Sequence, residues 1–153
     1  MTTFTVKMTS DLPVDSAVLW QQVSTLDGVN AELMPLVRMT APAEMRRVPF
    51  TQVPVKQHVF TSRLMLFGFL PVDLHRLCLD EVWEGGFREN SSSLMHRAWR
   101  HERIIRANGG GSTLTDTLNF EPRLPLVGYV LLPVVRFVFQ HRHRHLKKMF
   151  GDK

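Results

Sequence analysis

The sequence predicts an α+β fold: a seven-stranded, curved antiparallel sheet with two short helices and one long C-terminal helix. Three observations predict it. Five consecutive strand-like runs between His58 and Glu121 are joined by short, mostly glycine-bearing turns, the pattern of an antiparallel meander. Residues 126–150 carry Leu132, Val135, Phe139, Leu146 and Phe150 at spacings of three, four or seven, the pattern of a helix with one apolar face. At 153 residues the chain has the length of one domain, able to bury roughly 70% of its unfolded surface without a disulfide or metal staple. The expected domain is the whole chain, 1–153.

The elements follow in order. Phe4 to Met8 alternates apolar and polar residues, a half-buried strand. After Asp11-Leu12-Pro13, the stretch Val14 to Leu26 sets Val14, Ala17, Val18, Trp20 and Val23 near one helical face, and Asp27-Gly28 is expected to close it. A second short helix is expected over Val29 to Met34, before Pro35, and a short strand over Leu36 to Thr40. Ala41 to Lys56 contains three prolines and little periodicity, so it reads as loop. The five strands then run His58–Phe67, Val72–Trp83, Phe87–Met95, Arg97–Ala107 and Ser112–Glu121, with His96 in a turn. The final helix is expected over Leu126 to Phe150, with Gly151 beyond its end. Pro133 should kink it or mark its true start. A long helix across a curved sheet leaves a gap, which is a natural apolar cavity.

Charge is unevenly placed. The formal net charge is +5, and the last 18 residues hold six basic side chains against Asp152 alone, leaving thirteen of each sign in residues 1–135. A neutral body with a basic tail argues against a nucleic-acid-binding surface. Cys78 is the single cysteine, which excludes an internal disulfide and fits a reducing cytoplasmic setting. The N-terminus has neither a basic region nor an apolar core of the signal-peptide kind. The longest uncharged apolar stretch, Pro125 to Val135, is eleven residues, against about 18 for a membrane span. Eight methionines and ten phenylalanines against one tyrosine suit either core filling or an adaptable apolar cavity.

The residues that could carry chemistry converge on the meander. Alternation puts Trp99, His101 and Arg103 on one face of their strand, and Leu114, Asp116, Leu118 and Phe120 on the apolar face of the next. A buried carboxylate needs a partner, and the hairpin over Asn108 to Gly111 brings His101 or Arg103 within reach of Asp116. Phe87, Glu89 and Ser91 share a face of the preceding strand. The expected inward cluster is therefore Glu89, His101, Arg103 and Asp116, walled by Trp99 and Phe87. It could satisfy itself as a structural ion network, orient the polar group of an apolar ligand, or perform acid–base chemistry with Asp116 fixing the tautomer of His101. No nucleophile arrangement is legible, and Cys78 reads as a core residue. In His141-Arg142-His143-Arg144-His145, only His141 and His145 face one another on a helix, with arginines interleaved, so no metal site is expected. That segment reads instead as a solvated basic helix end, or as a contact for anionic lipid headgroups beside an apolar stripe of Phe139, Leu146 and Phe150. Asn108-Gly109-Gly110-Gly111 lacks the lysine and helix start of a phosphate loop. No cofactor is implied.

Several short motifs, in this element order, carry a resemblance. They are Asp11-Leu12-Pro13-Val14-Asp15 with Trp20, Leu70-Pro71-Val72-Asp73, Trp99-Arg100-His101-Glu102-Arg103, Leu114-Thr115-Asp116-Thr117-Leu118 and Phe139-Gln140-His141-Arg142-His143. With them the chain resembles the SRPBCC superfamily of START lipid-transfer domains, Bet v 1-like allergens and polyketide cyclases, more closely its bacterial single-domain ligand-binding members. The resemblance implies a helix-grip fold and a hydrophobic ligand, lipid- or polyketide-like, between the sheet and the C-terminal helix. The expected ligand-contacting residues are Phe87, Glu89, Ser91, Trp99, His101, Arg103, Asp116, Leu118, Phe120, Leu132, Val135 and Phe139. Three readings follow: a binding or carrier protein, a cyclase- or hydratase-type enzyme with His101 and Asp116 as its catalytic pair, and a membrane-associated protein using the basic C-terminal helix.

Overall fold

In the computed structural model, which describes residues 2–151, strand β1 (Phe4–Leu12) runs four residues past the predicted Met8. Its whole length is paired to the last strand, from Phe4 opposite Phe120 to Leu12 opposite Ser112, so ladder pairing carries it through the polar Thr9-Ser10-Asp11. Helix α1 (Ser16–Val23) starts on Asp15, whose side chain accepts from the Ala17 N–H. It ends three residues before the predicted Leu26. Thr25 instead caps α2 (Leu26–Leu33), its hydroxyl accepting from the Gly28 N–H at 3.0 Å, so Asp27-Gly28 opens the second helix rather than closing the first. Gly28 is needed there, because a Cβ would sit 1.8 Å from the Gln22 carbonyl oxygen at the α1–α2 junction.

Strand β2 (Val37–Met39) follows. The segment expected to be plain loop contains two single 3₁₀ turns, Ala43–Met45 and Phe50–Gln52. The second delivers Phe50 and Val53 to the core. Strands β3 (His58–Leu66), β4 (Leu70–Trp83), β5 (Gly86–Ser93), β6 (His96–Ala107) and β7 (Ser112–Pro122) form the expected meander. Gly85 and Gly109, with φ of +105° and +90°, supply the left-handed backbone of two of its turns. The sheet is antiparallel throughout, in the order β1-β7-β6-β5-β4-β3-β2. Register shifts in β3, β4 and at the start of β6 are bulges, which bend strands and increase their twist. The sheet is accordingly curled into a half-barrel.

Helix α3 (Pro125–Met149) runs unbroken through Pro133, which therefore does not mark its start. It lies against β1, β7 and α2. Two buried apolar clusters flank the interior. One gathers Leu19, Trp20, Val23, Leu79, Leu114 and Leu146, and the other gathers Phe4, Val6, Leu118, Phe120, Val135 and Phe139. None of the described helices is long and apolar enough to cross a membrane.

Candidate functional site

The hollow between the curled sheet and α3 is a cavity of about 220 Å³. Its wall is mostly aliphatic and aromatic: Leu26, Val29 and Leu33 from α2, Leu77 and Leu79 from β4, Phe87 from β5, and Leu131, Val134, Val135, Val138 and Phe139 from α3. Asp73, His75, Glu89, His96, His101 and Arg142 are the titratable side chains on the same wall.

Behind that wall lies an ion network. Arg103 has no exposed surface. Its guanidinium grips Asp116 with two bonds, Nε to Oδ1 at 2.7 Å and Nη2 to Oδ2 at 2.8 Å, and reaches Glu32 of α2 through Nη1 at 2.9 Å. Glu32 also accepts from Arg142 Nε at 3.0 Å, so α2, β6 and α3 converge on one carboxylate. Asp116 is further bonded to His101 Nε2 at 2.8 Å and His143 Nε2 at 2.7 Å, while His143 Nδ1 meets the Ser10 hydroxyl at 2.7 Å. Nearer the cavity, Glu89 pairs with His75 Nε2 at 2.5 Å and accepts from the Ser91 hydroxyl at 2.7 Å, with His101 Nδ1 at 3.9 Å from its other oxygen.

Electrostatics follow from these contacts. Burial pushes the Asp116 carboxyl up, but the charge and hydrogen bonds of Arg103, with those of His101, outweigh it and hold the group well below the usual carboxylate range. Glu89 behaves alike: burial raises it, and His75 first, then His101 and Ser91, bring it below its ordinary value. For Arg103, burial opposes the charged form and is overcome by Asp116 and Glu32, which raise its pKa. His96 moves down, chiefly from burial, so its imidazole is the neutral form at neutral pH. Burial, with the Asp80 and Glu89 charges, pushes the half-buried Cys78 thiol up, away from a reactive thiolate.

The structure brings Glu89, His101, Arg103 and Asp116 together and divides them between wall and interior. Phe87, Glu89, Trp99, His101, Val135 and Phe139 line the cavity. Ser91, Arg103, Asp116, Leu118, Phe120 and Leu132 do not. Ser91 serves Glu89 and the Cys78 backbone, Arg103 and Asp116 are sealed behind the wall, and Leu118, Phe120 and Leu132 pack with Phe4. The histidine-rich helix segment is also corrected. Arg142 and His143 are buried ion partners rather than solvated charge. His141 and His145 bond the backbone carbonyls of Met34 and Glu32 at 3.0 and 3.3 Å, closing the C-terminal end of α2. Phe139 and Leu146 lie in the core, so they form no outer apolar stripe beside the basic residues. Lys153 and Asp152, counted with the basic tail, lie outside the described residues.

Sequence reasoning missed Glu32, Asp73, His75, His96 and Arg142. Asp73 and His75 were legible, since they alternate with Leu77 and Leu79 along β4. His96 was not. The bulge between His96 and Ala98 shifts the side-chain parity, so a residue read as a turn faces inward with Trp99 and His101.

A family described as "Domain of unknown function (DUF8410)" matches residues 10–150. No curated protein matches the chain. Among solved structures, a START superfamily protein from Mycobacterium smegmatis superposes with a TM-score of 0.67 at 14% identity, covering 95% of this chain and 96% of that one. The Zhui aromatase/cyclase from Streptomyces sp. R1128 gives 0.65 at 13% identity over 97% and 93% of the two chains. Ara h 8.0201 gives 0.59 at 15% identity over 96% and 99%. At these identities the likeness establishes the fold, which is the helix-grip fold that the sequence resemblance implied.

Proposed function

The chain belongs to the family described as a domain of unknown function (DUF8410), and from its cavity we propose that it binds a small hydrophobic molecule between the sheet and α3, as a carrier or binding protein. One observation carries this reading: a largely apolar 220 Å³ cavity adjoins buried charges that are already paired with one another. The space equals roughly seven water volumes and lies below the roughly 300–1,000 Å³ of drug-sized pockets. It suits a bicyclic polyketide-like body or a short chain. The START, aromatase/cyclase and Ara h 8 structures share the fold around this space, which supports a ligand in it.

Cyclase- or hydratase-type chemistry with His101 and Asp116 as acid–base pair draws on their 2.8 Å bond and on His101 lining the cavity. Binding without chemistry is the better reading. Asp116 is committed to Arg103 and His143 as well, and the second nitrogen of His101 already faces Glu89.

Peripheral membrane contact draws on Arg136, Arg144 and Lys148, exposed on α3, and on the apolar side chains that its N-terminal half exposes, Leu126, Tyr129, Val130, Val134 and Phe137. Anionic vesicles should sediment the protein and neutral ones should not if that contact exists.

The test of the binding reading is calorimetric titration with naphthalene, alongside native mass spectrometry of the protein as purified. Wild type should bind one equivalent. Val135→Phe, which places a ring in the cavity from α3, should weaken binding at least tenfold while the fold is kept. Equal binding by the two proteins would place the probe elsewhere and defeat the reading.

A further inference from the structure

Each buried histidine but one is paired. His75, His101 and His143 each bond a carboxylate, and His143 also a hydroxyl. His96 is 6% exposed and lines the cavity, yet its Nδ1 has no hydrogen-bond partner. No other buried side-chain nitrogen or oxygen among the described residues is left in this state.

The ring is held firmly in place. It packs against Trp99 at 5.0 Å and edge-on to Phe120 at 5.3 Å between ring centres, and the His96 backbone N–H donates to the Ser93 hydroxyl at 2.9 Å. A buried polar atom without a partner is a standing cost to the folded protein, so a native structure that keeps one invites a reason. The ring borders the proposed binding cavity, so a ligand there lies beside the one buried polar atom that the described residues leave unpaired.

We propose that His96 recognises a single uncharged hydroxyl, an alcohol or phenol, on an otherwise apolar ligand. The chemistry of the surroundings selects that group. A neutral imidazole offers one N–H donor and one bare nitrogen acceptor, and a hydroxyl complements either. Asp73 and His75 share this part of the wall, and the Asp73 carboxylate disfavours an anion beside it. The cation of the wall, Arg142, is occupied by Glu32. Arg103 and its ion cluster lie seven positions further along β6, roughly 20 Å of strand from His96. The inference rests on the cavity-binding reading and adds the ligand's polar group to it.

Paired titrations of naphthalene and 2-naphthol test both at once. The two differ by one hydroxyl on the same rings, and burying an unpaired hydroxyl in an apolar site is unfavourable. Wild type should favour 2-naphthol, and His96→Leu should shift the affinity ratio toward naphthalene by about tenfold. His96→Asn, which returns an amide near the Nδ1 position, should restore part of the preference. In wild type itself, the His96 ring ¹⁵N resonances should move on adding 2-naphthol and stay in place with naphthalene, a readout independent of any variant's folding. If wild type binds both probes equally, or the ring resonances ignore bound 2-naphthol, the cavity reading stands and the role of His96 falls. If wild type binds neither, the cavity reading falls as well.

Discussion

Removing Arg103 tests whether the buried network is a structural element or an incidental one. The side chain has no exposed surface and donates to two carboxylates on different elements, Asp116 of β7 and Glu32 of α2. Arg103→Met keeps much of the volume and removes the charge. Breaking a buried ion pair by deleting one partner costs about 3–5 kcal/mol, because the surviving charge stays buried and uncompensated. Asp116 retains His101 and His143, and Glu32 retains Arg142, which holds the loss to about 4 kcal/mol on that scale. Against a total stability of about 5–15 kcal/mol, that is a quarter or more of the whole. At about 2–4 °C per kcal/mol for a domain of this size, the melting temperature should fall by about 8–16 °C. Urea unfolding followed by tryptophan fluorescence measures it, with an unchanged slope showing that the same surface unfolds. Arg88, half-exposed between Glu81 and Glu102, is the control, and its Met variant should leave the midpoint unmoved. A loss below about 0.5 kcal/mol for Arg103→Met, within the usual range of an ordinary surface substitution, would refute the reasoning. So would additivity between Arg103→Met and Asp116→Asn in a double-mutant cycle, since contacting partners should couple.

Three further predictions follow from the same geometry. Acid should lower the stability of the protein in two stages. Groups with depressed folded pKa values bind fewer protons folded than unfolded, so their stabilisation is complete above the unfolded value and is lost as pH falls through the folded one. His96 therefore sets a first loss beginning near its ordinary 6.5, and Glu89 and Asp116 set a second below their ordinary 4.5 and 3.8. Stability measured from pH 8 to pH 3 should show both stages, and His96→Leu should abolish the first alone. Gly28→Ala should lower the melting temperature by roughly 6–12 °C, from overpacking of about 3 kcal/mol, because the new methyl meets the Gln22 carbonyl; calorimetry would detect it, and a neutral result would mean that α1 and α2 move apart freely. His143→Phe should destabilise by about 2–4 kcal/mol, since it leaves Asp116 one donor short and strands the Ser10 hydroxyl; urea unfolding reads it.

Much of the fold was legible because local pattern and tertiary demand agree in the meander. The β6 and β7 alternation places His101, Arg103 and Asp116 inward without knowledge of any partner. Misreadings arose where one residue's role depends on a distant element. Glu32 sits in an eight-residue helix of low amphipathicity, and only Arg103 and Arg142, far along the chain, reveal why a carboxylate is tolerated there. Arg142 and His143 look like surface basicity because their partners lie on α2, β1 and β7. His96 was hidden by a bulge, which changes side-chain parity with no mark in composition. The Val14–Leu26 helix was overextended because Thr25 can be either a helix interior residue or a cap, and the close approach of Gly28 to Gln22 decides between them.

The ion network also accounts for the hollow beside it. Helix α3 has to be held over the sheet without filling the space beneath it, whereas ordinary apolar packing tends to close such gaps. Its first half rests on Phe4 and Phe120 through Leu132 and Val135, and its second half is tied by Arg142 to Glu32 and by His143 to Asp116 and Ser10. These ties are directional and of fixed length, so they set the height of the helix above β6 and β7 where side-chain bulk does not. An all-apolar replacement of the network would often be as stable or more so, but it would reward collapse of α3 onto the sheet. Replacing Glu32, Arg103, Asp116 and Arg142 together with leucine or methionine should therefore give a protein that folds and has lost naphthalene binding. A folded quadruple variant that still binds with unchanged affinity would show that the curl of the sheet alone keeps the cavity open.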